Sequence, residues 1–229
     1  MHETDSRSGI QIRGEIFRKI IHLLALVLPL AAWAMGGANF LPLLVPLTLI
    51  ALLADWLRVR SAPLKRFIDK VFGPMMSEQE CPAIGEPMSV NGATWTLISF
   101  TMLLTVFEMP IAATAFSVFM VGDAAAALIG SSCGRHHWGR SGCTIEGSVA
   151  FFVFGLITAL AFAGGGLIPG TLFTLPLWAV VAATLAACIA EGSPVRINDN
   201  LFSPFIAAVV LAIMLYLLEG APIRLFPAF

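Results

Sequence analysis

Charge is scarce in this sequence. Of its 229 residues only 12% are Asp, Glu, Lys or Arg, while 58% are hydrophobic. A soluble domain of this length needs far more polar surface, so a water-soluble globular fold is excluded. Mean hydropathy is +0.89, as expected for a chain whose solvent is mostly lipid. An excess of positive charge is also missing. The formal net charge is -1, so the chain has no basic footprint for nucleic acid. Cysteine is rare as well. Cys81, Cys133, Cys143 and Cys188 do not form a disulfide framework. The first apolar stretch lacks a small-residue cleavage site and is long enough to span a bilayer, so it reads as a permanent helix rather than a cleaved leader. No internal repeat and no low-complexity tract appears.

What the sequence does contain is a series of apolar runs. A helical span needs about 20 mostly apolar residues. The runs predict an all-α, polytopic membrane bundle of about seven helices: Phe17–Met35, Phe40–Leu57, Ala93–Phe107, Pro110–Ile129, Gly147–Ala163, Leu175–Ala190 and Leu201–Leu218. Residues 1–16 form a short tail, and 17–229 form one domain. Gly122, Ala126 and Gly130 recur every four residues, a small-residue stripe of the kind that lets helices approach closely. Threading seven spans puts the N-terminus and the loops 58–92, 131–146 and 191–200 on one side. Every Lys and Arg except Arg224 falls there, which makes that side cytoplasmic. The opposite side is almost without polar groups, apart from Glu108, Glu219 and Arg224. Within the 58–92 loop, residues 60–76 interleave basic residues with Leu64, Phe67, Ile68, Val71 and Phe72 at helical spacing. That pattern predicts an amphipathic helix lying on an anionic leaflet.

Ionisable groups at a membrane are expensive, so each needs a reason. Glu15, Arg18, Lys19 and His22 share one helical face. Asp123 lies about two turns inside the fourth helix with no cation near it in sequence, so it must find one elsewhere in the bundle or stay protonated. The loop behind it, from Ser131 to Arg140, carries Gly134, Arg135, His136, His137 and Arg140, a composition able to wrap phosphates. Thr144-Ile145-Glu146-Gly147-Ser148 opens the fifth helix with a capping pattern, and helix N-termini favour anions. Glu191 and Asn198-Asp199-Asn200 lie between the last two helices, where a plain turn is the simpler reading. Taken together, Asp123, Glu146 and Asp199, with Glu191 as a fourth candidate, put hard oxygen ligands suited to Mg²⁺ at the cytoplasmic helix ends. With Arg18, Lys19, Arg135 and Arg140 as phosphate clamps, the constellation suggests phosphoryl or nucleotidyl transfer to a lipid. Two other motifs fail. Gly134 to Ser141 nearly matches a P-loop but has Arg where the Lys belongs and follows a membrane helix, not a strand. Cys133, His136, His137 and Cys143 fit no common structural zinc spacing.

The motifs Glu15-x-x-Arg18-Lys19-x-x-His22, Gly122-Asp123-x-x-Ala126-Ala127-x-x-Gly130, Gly134-Arg135-His136, Thr144-x-Glu146-Gly147-Ser148 and Asn198-Asp199-Asn200 occur in series. With Asn91-Gly92-Ala93-Thr94 before the third helix, the series resembles the dolichol kinase, phytol kinase and CTP-dependent diacylglycerol kinase family. The resemblance implies transfer of the γ-phosphate of CTP, or another nucleoside triphosphate, to a lipid alcohol, with a divalent cation and a nucleotide site on the cytoplasmic face of a plasma membrane, here read as bacterial. On that basis Asp123, Glu146 and Asp199 are expected to hold Mg²⁺. Lys19, Gly130, Gly134, Arg135, His136, Arg140, Thr144 and Ser148 are expected to hold phosphates. Arg18 and Lys19 balance the transferred charge, and His22 or a carboxylate takes the hydroxyl proton. Glu15, Asn91, Glu191, Asn198 and Asn200 are further polar candidates. One departure stands out: Cys143 occupies the place where the family pattern has Lys, which removes a cationic phosphate contact unless Arg140 replaces it. The rival readings are a CTP-dependent cytidylyltransferase that makes a CDP-activated lipid, and a transporter. Transporters usually place their polar sites near the midplane with access from both faces.

Overall fold

The computed structural model describes residues 19–20, 22–72, 82–139, 142–163, 172–195, 197–220 and 225–226. Among them the regular elements are all helical, and the one extended pairing is an isolated bridge between His137 and Thr144. In chain order the helices are α1 (Val27–Met35), α2 (Gly37–Arg58), α3 (Ala62–Phe72), α4 (Gly92–Val106), α5 (Met109–Cys133), α6 (Ile145–Ala163), α7 (Leu177–Glu191) and α8 (Asp199–Glu219). Helical residues around Lys19 and His22 lead into α1.

The helix starts follow from local chemistry. Asn91 caps α4, its side chain accepting from Thr94 N at 2.9 Å. Asn198 caps α8 in the same way, accepting from Asn200 N at 3.0 Å. Thr144 Oγ1 accepts from Gly147 N at 3.1 Å and so caps α6. A side-chain oxygen at these places satisfies an N–H that the helix leaves unpaired. Pro110 sits in the first turn of α5, where its missing N–H costs nothing.

Among the described residues each apolar run read from the sequence is mainly helical, but the lengths differ. Four described helices are long and apolar enough to cross a membrane: α2, α5, α6 and α8. The His22–Met35 stretch, α4 and α7 are apolar but shorter. The 15 residues of α4 or α7 rise only about 22 Å at 1.5 Å each, less than the roughly 30 Å of a hydrocarbon core. The outer faces are greasy. On α2, Leu43, Leu47, Ile50 and Leu53 are exposed at helical spacing, a stripe that water would not tolerate on this scale.

At the centre is α5. In its most apolar window 72% is buried, against 17% for α2, so α5 is walled by other helices while α2 lies at the rim. The stripe Gly122, Ala126, Gly130 faces α6. A methyl on Gly122 would meet the Phe151 ring at 2.8 Å, and one on Gly147 would come within 3.4 Å of the Gly130 Cα. The stripe is therefore a helix-packing face, as small-residue patterns in membranes generally are. Phe100, Phe116, Phe119 and Phe151 fill the layer beside it.

Candidate functional site

Helices that run back and forth bring alternate termini to one end of the bundle. Here that end collects the C-terminal turns of α2, α5 and α7 and the N-terminal turns of α4, α6 and α8. They border a cavity of about 1310 Å³. The polar part of its lining includes Lys19, His22, Asp55, Asn91, Asp123, Glu191 and Asp199. The apolar part includes Ala25, Leu28, Ala51, Leu64, Ile68 and Leu97.

Asp123 is the centre of the polar part. Lys19 Nζ lies 2.6 Å from its Oδ2 and donates to it, and His22 Nε2 lies 3.2 Å from the same oxygen. The three side chains are only 18%, 9% and 10% exposed. A carboxylate this enclosed needs a countercharge, and the cation expected from elsewhere in the bundle is Lys19, 104 residues away in sequence. His22 packs edge-on against Phe119, with ring centroids 5.7 Å apart, which fixes the imidazole beside Asp123. Arg18 and Glu15, expected on the same face, lie outside the described residues.

A second buried carboxylate was missed in the sequence. Asp55, in the last turn of α2, is 1% exposed and lines the same cavity. Its Oδ1 accepts from Asn91 Nδ2 at 2.7 Å and its Oδ2 from Asn91 N at 3.1 Å. Arg58, fully buried, lies 3.7 Å from Oδ1 and donates to Ser89 O at 3.1 Å. Asn91 thus holds the N-terminus of α4 with its oxygen while its nitrogens are held by Asp55. The signal was present: an aspartate inside an apolar span calls for the same question as Asp123. Arg58 one turn later supplies a countercharge within the sequence itself, so Asp55 stands out less than Asp123.

The loop after α5 is folded on itself rather than open. Ile145 N donates to His136 O at 2.8 Å and Trp138 N to Cys143 O at 3.2 Å. Glu146 accepts from Arg135 N and His136 N at 3.2 and 3.3 Å, and its other oxygen lies 2.7 Å from His136 Nδ1. Glu146 therefore ties this loop to the start of α6, and it is not among the residues lining the cavity. Arg135 and His136 are exposed beyond the cavity wall as well. Gly134 does line the cavity, and a methyl there would collide with Gly130 O and Thr144. Ser148 lines it too, but its Oγ accepts from Trp138 Nε1 at 2.8 Å. Trp138 in turn packs against Gly192 at the end of α7. Arg140 lies outside the described residues.

The remaining candidates converge. Gly130, Thr144, Glu191, Asn198, Asp199 and Asn200 all line the cavity. Asn200 Nδ2 donates to Gly92 O at 3.3 Å, joining the heads of α8 and α4. Cys143, standing where the family pattern has Lys, lines the cavity with its Sγ 3.7 Å from Glu191 Oε1.

Full-length comparison finds one relative of note. The chain is similar to an uncharacterized protein of Rickettsia prowazekii (strain Madrid E). The two are 25% identical over 202 residues, which is 88% of this chain and 95% of that one. No family model matches the chain. No solved structure matches it either.

Among the described residues, no three His, Cys, Asp or Glu side chains converge closely enough to hold a metal ion by themselves. The carboxylates that line the cavity, Asp55, Asp123, Glu191 and Asp199, suit a looser arrangement. Mg²⁺ commonly takes one or two carboxylates and draws its other ligands from water and substrate phosphates. The donor set does not form a closed protein cage, and it leaves room for a cation that takes only one or two protein carboxylates.

Proposed function

We propose that this protein is an integral membrane lipid kinase that transfers the γ-phosphate of CTP, or another nucleoside triphosphate, to the hydroxyl of a lipid alcohol such as phytol, a polyprenol or diacylglycerol. The observation that carries this reading is the mixed lining of the cavity. Charged and amide side chains from the ends of α2, α4, α5, α7 and α8, with Lys19 and His22, share one space with apolar side chains. A lipid with a single reactive hydroxyl has the same mixed character.

In this reading the lipid hydroxyl attacks the γ-phosphorus, the bond to the β-phosphate oxygen breaks, and CDP leaves. The hydroxyl proton passes to His22 or to a cavity carboxylate. Lys19 and Arg18 offset charge on the group in transfer. Thr144 and the α6 N-terminus, with Gly130, Gly134 and Arg140, hold phosphate oxygens. Asp123 and Asp199 would hold Mg²⁺, which would supply charge neutralisation to the phosphates when bound. Glu146 shapes the loop from the side. Phosphoryl transfer depends mainly on positioning and charge stabilisation, so a cavity that places Lys19 Nζ at 2.6 Å and His22 Nε2 at 3.2 Å from Asp123 Oδ2 supports it. Seven crossings, an N-terminus in the cytoplasm and an active face on that side of a bacterial plasma membrane complete the reading. In this reading the shorter apolar helices, the His22–Met35 stretch, α4 and α7, supply the remaining three crossings.

The test is a membrane-fraction assay with γ-labelled and α-labelled CTP, ATP and UTP against a panel of lipid alcohols. Label from the γ position on the lipid is expected. Release of pyrophosphate with the α label retained on the lipid would replace the kinase with a cytidylyltransferase, and no label on any lipid would end both readings.

A further inference from the structure

The amphipathic helix α3 uses two faces, and the mechanism above needs only one of them. Leu64 and Ile68, four residues apart, point to the bundle and line the cavity, and Ile68 is 8% exposed. Pro63, Arg66, Phe67 and Lys70 stand at helical spacing on the outer side, and all four are exposed. Phe67 is 62% exposed and still among the cavity-lining residues, so it marks the cavity's mouth. One turn before α3, the Arg60 guanidinium lies 4.0 Å above the ring of Trp56, which is 42% exposed in the last turn of α2. The acidic residue of the helix does not neutralise the outer face: Asp69 is paired with Lys65 at 2.9 Å.

An exposed Phe between two basic residues, beside a Trp carrying an Arg, has no use for water. It suits the boundary of a bilayer, where aromatic rings sit among the headgroups and glycerol ester region and cations meet phosphates. We propose that Arg60, Arg66, Phe67 and Lys70, with Trp56, form a docking surface for anionic phospholipid headgroups, and that this contact holds α3 in place as the apolar wall of the cavity. The partner is the membrane's own anionic lipid, chosen by charge complementarity. Because one helix meets both the leaflet and the cavity, surface charge of the membrane sets how firmly that wall is held. The inference does not depend on which reaction the cavity performs.

The experiment uses the full chain in nanodiscs of phosphatidylcholine alone and of phosphatidylcholine mixed with phosphatidylglycerol. Hydrogen exchange of the 62–72 amides is read in each. Exchange is expected to be about tenfold slower in the anionic discs at low ionic strength, and the difference is expected to shrink with added salt, as screening requires. In Arg66→Gln/Lys70→Gln the lipid dependence should vanish while α4 and α5 amides exchange as in the wild type. Equal exchange of the wild type in both lipids overturns the proposal, whether or not the variant folds. So does full protection by inorganic phosphate in phosphatidylcholine discs, which would indicate a soluble-anion site instead of a membrane surface.

Discussion

Asp123 and Asp55 show how differently two buried carboxylates behave when read one residue at a time. Asp123 faces a Lys and a His from the segment before α1, groups that the proposed nucleotide substrate would draw away. Asp123→Asn should therefore keep Lys19 near its place but remove the charge, and turnover in the labelled-lipid assay should fall by about a hundredfold or more. Insertion and yield should stay as in the wild type, and near-normal turnover would remove Asp123 from the mechanism. Asp55 is committed to Asn91 and Arg58. Asp55→Ala leaves a fully buried guanidinium without its carboxylate, a loss of about 3 kcal/mol. A clear drop in thermal midpoint in detergent is the expected readout, and an unchanged midpoint would show that Arg58 finds enough partners elsewhere. Asp123 stands out in the sequence because nothing nearby balances it, and Asp55 stands out less because Arg58 sits one turn away.

Helix packing explains which glycines matter. Gly122 stands beside Asp123 in the motif that carries the resemblance, yet its own role is to admit Phe151. Gly122→Ala should cost about 1 to 3 kcal/mol through overpacking of the α5–α6 contact. Phe151→Leu, placed in the same chain, should recover part of that loss by making room. If the double variant is no better than Gly122→Ala alone, the glycine serves something other than this contact. The stripe of small residues was legible from spacing alone. Its partner helix was not, because period tells which residues share a face and says nothing of what that face meets. The loop between α5 and α6 gives the opposite case. Its glycines and basic residues give it a composition able to wrap phosphates, but the way Glu146 and Trp138 fasten it to α6 was not legible. Those contacts depend on a turn geometry that composition does not encode.

For the molecule as a whole, the placement of polar helix ends on one side makes a topological prediction. Cys133, exposed at the end of α5, should share a compartment with the N-terminus and with the 58–92 and 191–200 loops. In a Cys81→Ser/Cys143→Ser/Cys188→Ser background, a membrane-impermeant maleimide should label Cys133 in inside-out vesicles and leave it unlabelled in intact cells. Labelling from outside would reverse the orientation drawn from the basic residues.

The sequence alone determined that the chain is a series of apolar helices, roughly where most of them lie, and that Asp123 needs a countercharge. These follow from hydropathy, period and caps, which are properties of short stretches. Only the tertiary structure decided that Lys19 neutralises Asp123, that Asp55 joins the same cavity and that Glu146 turns away to hold a loop. Each of these depends on which helices become neighbours. That choice is made by side-chain fit between faces far apart in the chain, as where Gly122 receives Phe151, and no local pattern contains it.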